Sequence, residues 1–182
     1  LQCRDPIRRA GPSRAVSREE YSSLLEGFPA GGDVQRNCVV VGETRESHAE
    51  IVELEALLAF ARAYDPQYFH ADPEAARNSV FGEVIASGIY TMALWRKLDH
   101  EISGDIAWIC GIAWEDVRWP VAVRAGDRLR AQFECLAKRP SSSDATRGVV
   151  EFRYTLLNQR NEVAWTCRSI NLVETGPRSA AA

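Results

Sequence analysis

Residues 127–137 read DRLRAQFECLA, and this stretch decides the fold. Leu129, Ala131, Phe133 and Cys135 occupy alternate positions, while Arg128, Arg130, Gln132 and Glu134 fill the gaps between them. Successive side chains of a strand point to opposite faces, so this alternation specifies a strand with one face in a core and one in water. The same period recurs downstream. Val150, Phe152, Tyr154 and Leu156 alternate with Val149, Glu151, Arg153 and Thr155. Val163, Trp165 and Cys167 begin a last strand that runs towards Val173, and residues 106–114 are rich in β-formers. Between two of these runs, KRPSSSDATR (138–147) reads as a polar loop. Several half-buried strands in succession predict an antiparallel sheet.

The first half has a different period. Cys38 to Val41 is a short β-branched run, read as a first strand. Leu54, Leu57, Leu58 and Ala61 fall on one helical stripe. That helix must stop near Asp65, because Pro66 disfavours helical geometry in the residue before it. Asp72-Pro73 reads as a helix start, with Asp as cap and Pro in the first turn. Residues 89–98, IYTMALWRKL, are apolar on every side until Arg96, which predicts a buried helix. Strand, helices and then a run of strands is an α+β order. One buried helix and one antiparallel sheet predict a sheet curled around the helix. No internal repeat is present.

Composition narrows the function. The 182 residues suffice for one domain with a sizeable core. A formal net charge of -3 and the lack of a basic block weigh against nucleic acid as partner. No apolar run approaches the length of a membrane-spanning helix. The five cysteines (Cys3, Cys38, Cys110, Cys135 and Cys167) are widely spaced without a CxxC pair, as in a cytoplasmic protein with reduced thiols. His48, His70 and His100 form no HxxxH or HExxH pair, so no metal ligand set is expected. Residues 1–36, with five Arg before position 20 but also Asp5, Glu19 and Glu20, read as a poorly ordered extension rather than a transit peptide. Opening on Leu1 instead of Met suggests a fragment, and residues 175–182 read as a disordered tail.

Asp65 and His70 lie in YDPQYFHAD between two helices. Fully extended, the chain would hold them roughly 17 Å apart, but a turn at Pro66 would let them converge into a general acid–base pair. The plainer reading makes Asp65 a helix terminator and His70 a half-buried, satisfied histidine. Gly88, in IASG directly ahead of the apolar helix, allows close approach of a ligand to the backbone. A free N–H at a helix start suits a developing negative charge. The plainer reading there is a turn glycine.

YDPQYFHADPEAA (64–76) followed by FGEVIASGIYTMAL (81–94) resembles the MaoC-like dehydratase family, relatives of the (R)-specific enoyl-CoA hydratases. The resemblance continues through WEDVRWPVAVRAGDRLRA, RPSSSDATRGVVEF and LLNQRNEVAW, and covers most of residues 38–173. It implies a single hot-dog domain over residues 37–174, a long central helix wrapped by a curved antiparallel sheet, pairing as a homodimer. It also implies a hydro-lyase that adds water reversibly to a 2-enoyl thioester, giving a (3R)-hydroxyacyl product, with acyl-CoA or an acyl-carrier thioester as substrate and no cofactor. Asp65 and His70 fall on the catalytic pair of the family, and Gly88 on the glycine whose N–H holds the thioester carbonyl.

Two positions depart from the family motif D-x-N-P-[apolar]-H-x-[D/N]-P. Gln67 stands for Asn and Tyr68 for Pro. Gln67 keeps an amide donor; Tyr68 reshapes the expected acyl pocket. Ser87 reads first as a packing residue and secondly as a ligand contact. Arg124, in a turn with Gly126 and Asp127, reads first as a solvated charge and secondly as a contact to CoA phosphate. The five tryptophans read as core or interface. A hot-dog thioesterase and a non-catalytic thioester-binding subunit are the alternative functions.

Overall fold

In a computed structural model, residues 39–142 and 144–175 are described; the expected N-terminal extension and all of the expected C-terminal tail except Thr175 lie outside them. Two short strands, β1 (Thr44–Glu46) and β2 (Glu50–Ile51), precede α1 (Leu54–Tyr64), two single-turn helices α2 (Tyr68–Ala71) and α3 (Pro73–Ala76), and the 16-residue α4 (Gly88–Ser103). Four long strands complete the chain: β3 (Trp108–Arg118), β4 (Arg128–Pro140), β5 (Arg147–Leu157) and β6 (Val163–Glu174). They form an antiparallel sheet in the order β1-β4-β5-β6-β3, with β2 also on β4. Register shifts at three places in β3, and one each in the β4–β5 and β5–β6 pairings, bend the sheet.

The alternating patterns become one apolar face. Leu129, Ala131, Phe133, Cys135, Phe152 and Leu156 are completely buried, and Tyr154 and Cys167 nearly so. Against that face lies α4 through Leu94, Trp95, Leu98 and Ile102. Trp95 is the knob of this packing. Its ring lies 4.5 Å from that of Trp165 and 4.8 Å from that of Tyr154, centroid to centroid. Asp99 is buried on the same face and ion-paired to Arg96; burial pushes its carboxyl above the ordinary range despite that cation. The stripe of α1 is buried through Leu57, Leu58 and Ala61.

Three expectations need correction. The first strand does not occupy 39–41: the chain turns at Val41-Gly42, Gly42 has φ +86°, and pairing with β4 begins only at Thr44. (Cys38 lies outside the described residues.) The helix is not buried on every side. Ile89 is 56% exposed, and Ala93 and Lys97 are exposed too, because the sheet covers a single side of α4. The loop after β4 is shorter than KRPSSSDATR, since Lys138, Arg139 and Pro140 continue in register opposite Val150, Val149 and Gly148. Among the described residues, Cys110, Cys135 and Cys167 are free thiols and no helix is long and apolar enough to cross a membrane.

Phe152 is fully buried, and its ring packs on Phe133 at 5.0 Å and on Tyr154 at 5.6 Å. Phe152→Ala leaves a cavity in the middle of the sheet face and lowers unfolding free energy by about 3–5 kcal/mol, checked by urea titration at unchanged slope.

Candidate active site

The segment between α1 and α3 turns as Pro66 requires. Asp65 closes α1, its N–H bonded to Ala61 O at 2.8 Å, and its own backbone is no longer helical. Pro66 and Gln67 carry the chain into the single turn of α2, which presents His70 inward. Asp65 Oδ2 and His70 Nε2 thereby come within 3.8 Å, where an extended chain would have held them several times farther apart. The histidine side chain is 7% exposed and the aspartate side chain 20%.

His70 has one defined orientation. Its Nδ1 stands 2.7 Å from Ile85 O. A carbonyl only accepts, so Nδ1 carries the proton and donates it. In the neutral ring Nε2 is then the unprotonated nitrogen, and it is the one that faces Asp65. At 3.8 Å the Asp–His contact is too long for a direct hydrogen bond and of the right length for a bridging water. Gln67 Nε2 donates to Asp65 Oδ1 at 3.0 Å and fixes the other side of the carboxylate. The amide donor expected from Gln67 is therefore in place. Tyr68 is 51% exposed and packs edge-on against Phe69, with ring centroids 5.1 Å apart.

Residues 84–88 join this pair to the helix start. Ile85 N–H donates to Phe69 O at 3.1 Å, Ala86 N–H donates to Val123 O at 2.8 Å, and Ile85 bridges Arg124 in antiparallel fashion. Gly88 is the first residue of α4, three positions after the carbonyl that holds His70, so at most about 10 Å of chain separates Ile85 from Gly88. Amide groups in a first helical turn have no acceptor inside their own helix, which leaves Gly88 N–H available to a ligand. Ser87 is wholly buried and its Oγ accepts from Tyr90 N–H at 3.1 Å. It is the N-cap, in line with a structural reading of this residue. Arg124 belongs to a turn, as expected: its N–H donates to Asp127 Oδ2, and Gly126 adopts φ +85°. The guanidinium of Arg124 donates to Glu83 Oε1 at 2.7 Å and remains partly exposed.

The tryptophans, read together from sequence as core or interface, occupy different places. Trp95 and Trp165 are buried, whereas Trp119 is 46% exposed and donates through Nε1 to Gly88 O at 3.2 Å. Nothing in the spacing of the tryptophans separates these roles; the contact is made across 31 residues. The structure also has a cavity of about 270 Å³ between α4 and the β3–β6 half of the sheet, lined by Trp95, Trp108, Trp114, Tyr154, Ser169 and Asn171 among others.

One long helix laid on a curved antiparallel sheet is the hot-dog fold, here carrying an aspartate and a histidine beside the helix start. The chain belongs to the MaoC like domain family, which it matches over residues 38–157. It is similar to the solved structure of a MaoC-like dehydratase from Rhodospirillum rubrum, with 38% identity and a TM-score of 0.71 over 76% of this chain and 95% of that one. It is 30% identical to the uncharacterized protein YdeM of Bacillus subtilis over 122 residues, 66% of this chain and 84% of YdeM. It is also 37% identical to 3-hydroxyacyl-thioester dehydratase Z of Mycobacterium tuberculosis over 70 residues, 37% of this chain and 46% of that one.

Asp72 lies two residues from His70 but faces elsewhere: its carboxylate accepts from Glu74 N–H at 2.9 Å and Ala75 N–H at 3.2 Å at the start of α3. Asp72→Ala is expected to cost about 1 kcal/mol of stability and to leave the chemistry of the Asp65–His70 pair unchanged. Denaturant unfolding beside a turnover assay reads both.

Proposed function

We propose that this protein hydrates and dehydrates a 2-enoyl/3-hydroxyacyl thioester, with Asp65 and His70 as the acid–base pair and Gly88 N–H as the oxyanion donor. The observation that carries the reading is the 3.8 Å approach of Asp65 Oδ2 to His70 Nε2, with Nδ1 locked on Ile85 O. A water between the two groups donates one hydrogen to the carboxylate and one to the imidazole. As its oxygen adds to C3 of the conjugated thioester, one of the pair removes a proton from the water, and that same proton is passed on to C2. The sum is one water across the C2=C3 bond. Because Nδ1 is committed, Nε2 is the atom through which His70 exchanges a proton. Charge that gathers on the thioester oxygen during addition meets Gly88 N–H and the positive end of α4. Gln67 keeps the carboxylate in line, as its bond to Asp65 Oδ1 supports. Tyr68 borders the acyl group and Arg124 meets the phosphates of CoA, with Ser87 shaping the site from behind as the helix cap. The (3R) product, the CoA carrier and a cytoplasmic setting, in which Cys110, Cys135 and Cys167 stay reduced, belong to the same reading.

The test uses short, medium and branched enoyl-CoAs and follows the conjugated thioester absorbance. The wild type consumes that absorbance, while Asp65→Asn and His70→Asn each lower kcat by roughly 10²–10⁴. Unchanged rates in both variants would overturn the assignment. Release of free thiol without hydration would make the protein a thioesterase.

We also propose a homodimer built on β3. Among the described residues this 11-residue strand pairs with β6 alone, so one edge presents backbone groups to a partner, and Ile109, Ile112 and Trp114 beside it are 39–49% exposed. A second copy laid antiparallel along β3 pairs that edge and covers these side chains. Light scattering on the eluted protein should give twice the 20.3 kDa chain mass, and Ile112→Glu should halve it. A wild-type monomer at micromolar concentration contradicts the proposal.

A further inference from the structure

Trp119 is the first residue after β3 and is followed by Pro120. A residue before proline is confined to extended backbone, which restricts where the indole can go. The strap that continues from it runs antiparallel to the peptide entering α4. Arg124 bridges Ile85, and Val123 O accepts from Ala86 N–H. Where that backbone pairing ends, the side chain of Trp119 takes over and donates its indole N–H to Gly88 O. The strap thus grips the entering chain at Ile85, Ala86 and Gly88.

The indole also occupies the space a side chain would need. A Cβ placed on Gly88 would lie 3.1 Å from Trp119 Cε2 and 3.2 Å from Nε1, tighter than nearly all ordinary Cβ contacts. A side chain on Gly88 would therefore push the indole aside by a few tenths of an ångström, so the glycine serves close packing and not an unusual φ. This creates a problem that the indole also solves. Glycine is the residue with the most backbone freedom, and here it opens a helix, where intrahelical bonds are fewest. An amide that must present its N–H to one oxygen gains nothing from such freedom, because stabilisation of a developing charge depends on donors fixed in advance. A carbonyl has two lone pairs, so Gly88 O accepts the indole in addition to its place in the helical ladder.

We infer that Trp119 is the positioning residue of the oxyanion site: by packing on Gly88 and bonding its carbonyl it holds the Gly88–Ile89 peptide, and with Ser87 O held by Thr91 on the other side it limits the rotation through which Gly88 N–H could turn away. The inference rests on the proposed role of Gly88 as oxyanion donor. Trp119 bonds neither Asp65 nor His70, so its removal changes the polarisation of the thioester and leaves the proton-transfer pair in place.

The full chain carries the test. Trp119→Phe keeps an aromatic ring over Gly88 and deletes the N–H donor. With the enoyl-CoA that the wild type hydrates fastest, Trp119→Phe is expected to lower kcat about tenfold, less than the 10²–10³ of an oxyanion donor removed outright. KM is expected to stay within about twofold and the pH profile of kcat to keep its shape. The carbonyl stretch of a bound saturated acyl-CoA, labelled with 13C at the thioester, supplies a readout without turnover. It is expected to shift to lower frequency on the wild type and to move back towards the free value on Trp119→Phe. A stretch and a kcat identical in the two proteins would overturn the inference, as would a saturated wild type with no shift at all. If the wild type hydrates none of the enoyl-CoAs but shifts the carbonyl, the dehydratase reading fails and the stretch of the variant alone decides the role of Trp119.

Discussion

The bond from His70 Nδ1 to Ile85 O, beside the backbone bond from Ile85 N–H to Phe69 O, joins two parts of the chain that are distant in sequence. On one side is a single helical turn whose position depends on the break at Pro66. On the other is the extended peptide that enters the central helix. The bond sets the tautomer of His70, hence which nitrogen faces Asp65. It also brings the pair to within a few residues of Gly88. Because it is buried, its loss would leave an imidazole N–H and a carbonyl unsatisfied out of water, a cost larger than the bond's own net contribution. The Asp65–His70 geometry and its approach to the start of α4 are thus tied together at this contact, and the other parts of the site are arranged around it.

That contact can be kept only if α4 does not move, and α4 is kept by the sheet. Trp95, Leu98 and Ile102 sit against an apolar face built from alternate residues of β4, β5 and β6. Close packing makes such a core hard to compress, so α4 is held firmly in place. A site on a helix start anchored this way is better defined than one on a free loop. The entering peptide then receives three further restraints: Phe69 O, Val123 O and the Trp119 indole.

The sheet was legible because its signal is local. The alternation in 129–135 and 150–156 needs only a period of two to be read, and both runs are buried where that period places them. The end of α1 at Asp65 and the start of α3 at Asp72-Pro73 were legible for the same reason, since proline and a capping carboxylate act on their immediate neighbours. Val39 to Val41 misled because β-branched residues describe a preference, whereas Gly42 at positive φ and the position of β4 decide where pairing starts. The apolar circumference of α4 misled in another way. It records every surface the helix must satisfy, including Ile89 and Ala93, which the sheet of its own chain leaves open. Asp65, His70 and Gly88 were found as residue types in a pattern. Their joining bonds were not legible, because Ile85 O and the Trp119 indole act across 15 and 31 residues, and nothing in the spacing encodes a backbone acceptor or the direction of an indole.

Gln67 shows how much freedom the pattern tolerates. The family motif has an asparagine there, one methylene shorter, and the neighbouring proline is Tyr68 in this chain. Gln67 serves as the N-cap residue of α2 with an extended backbone, φ -64° and ψ 140°, a conformation that a following proline would also allow. From that position the longer amide reaches Asp65 Oδ1 two residues back. The carboxylate is therefore held by the longer side chain, with no change of backbone region needed. The cost falls on the surface beside it, where a half-exposed phenol ring replaces a compact pyrrolidine. The bond that holds the Asp65 carboxylate and the exposed ring thus fall on neighbouring residues, Gln67 and Tyr68.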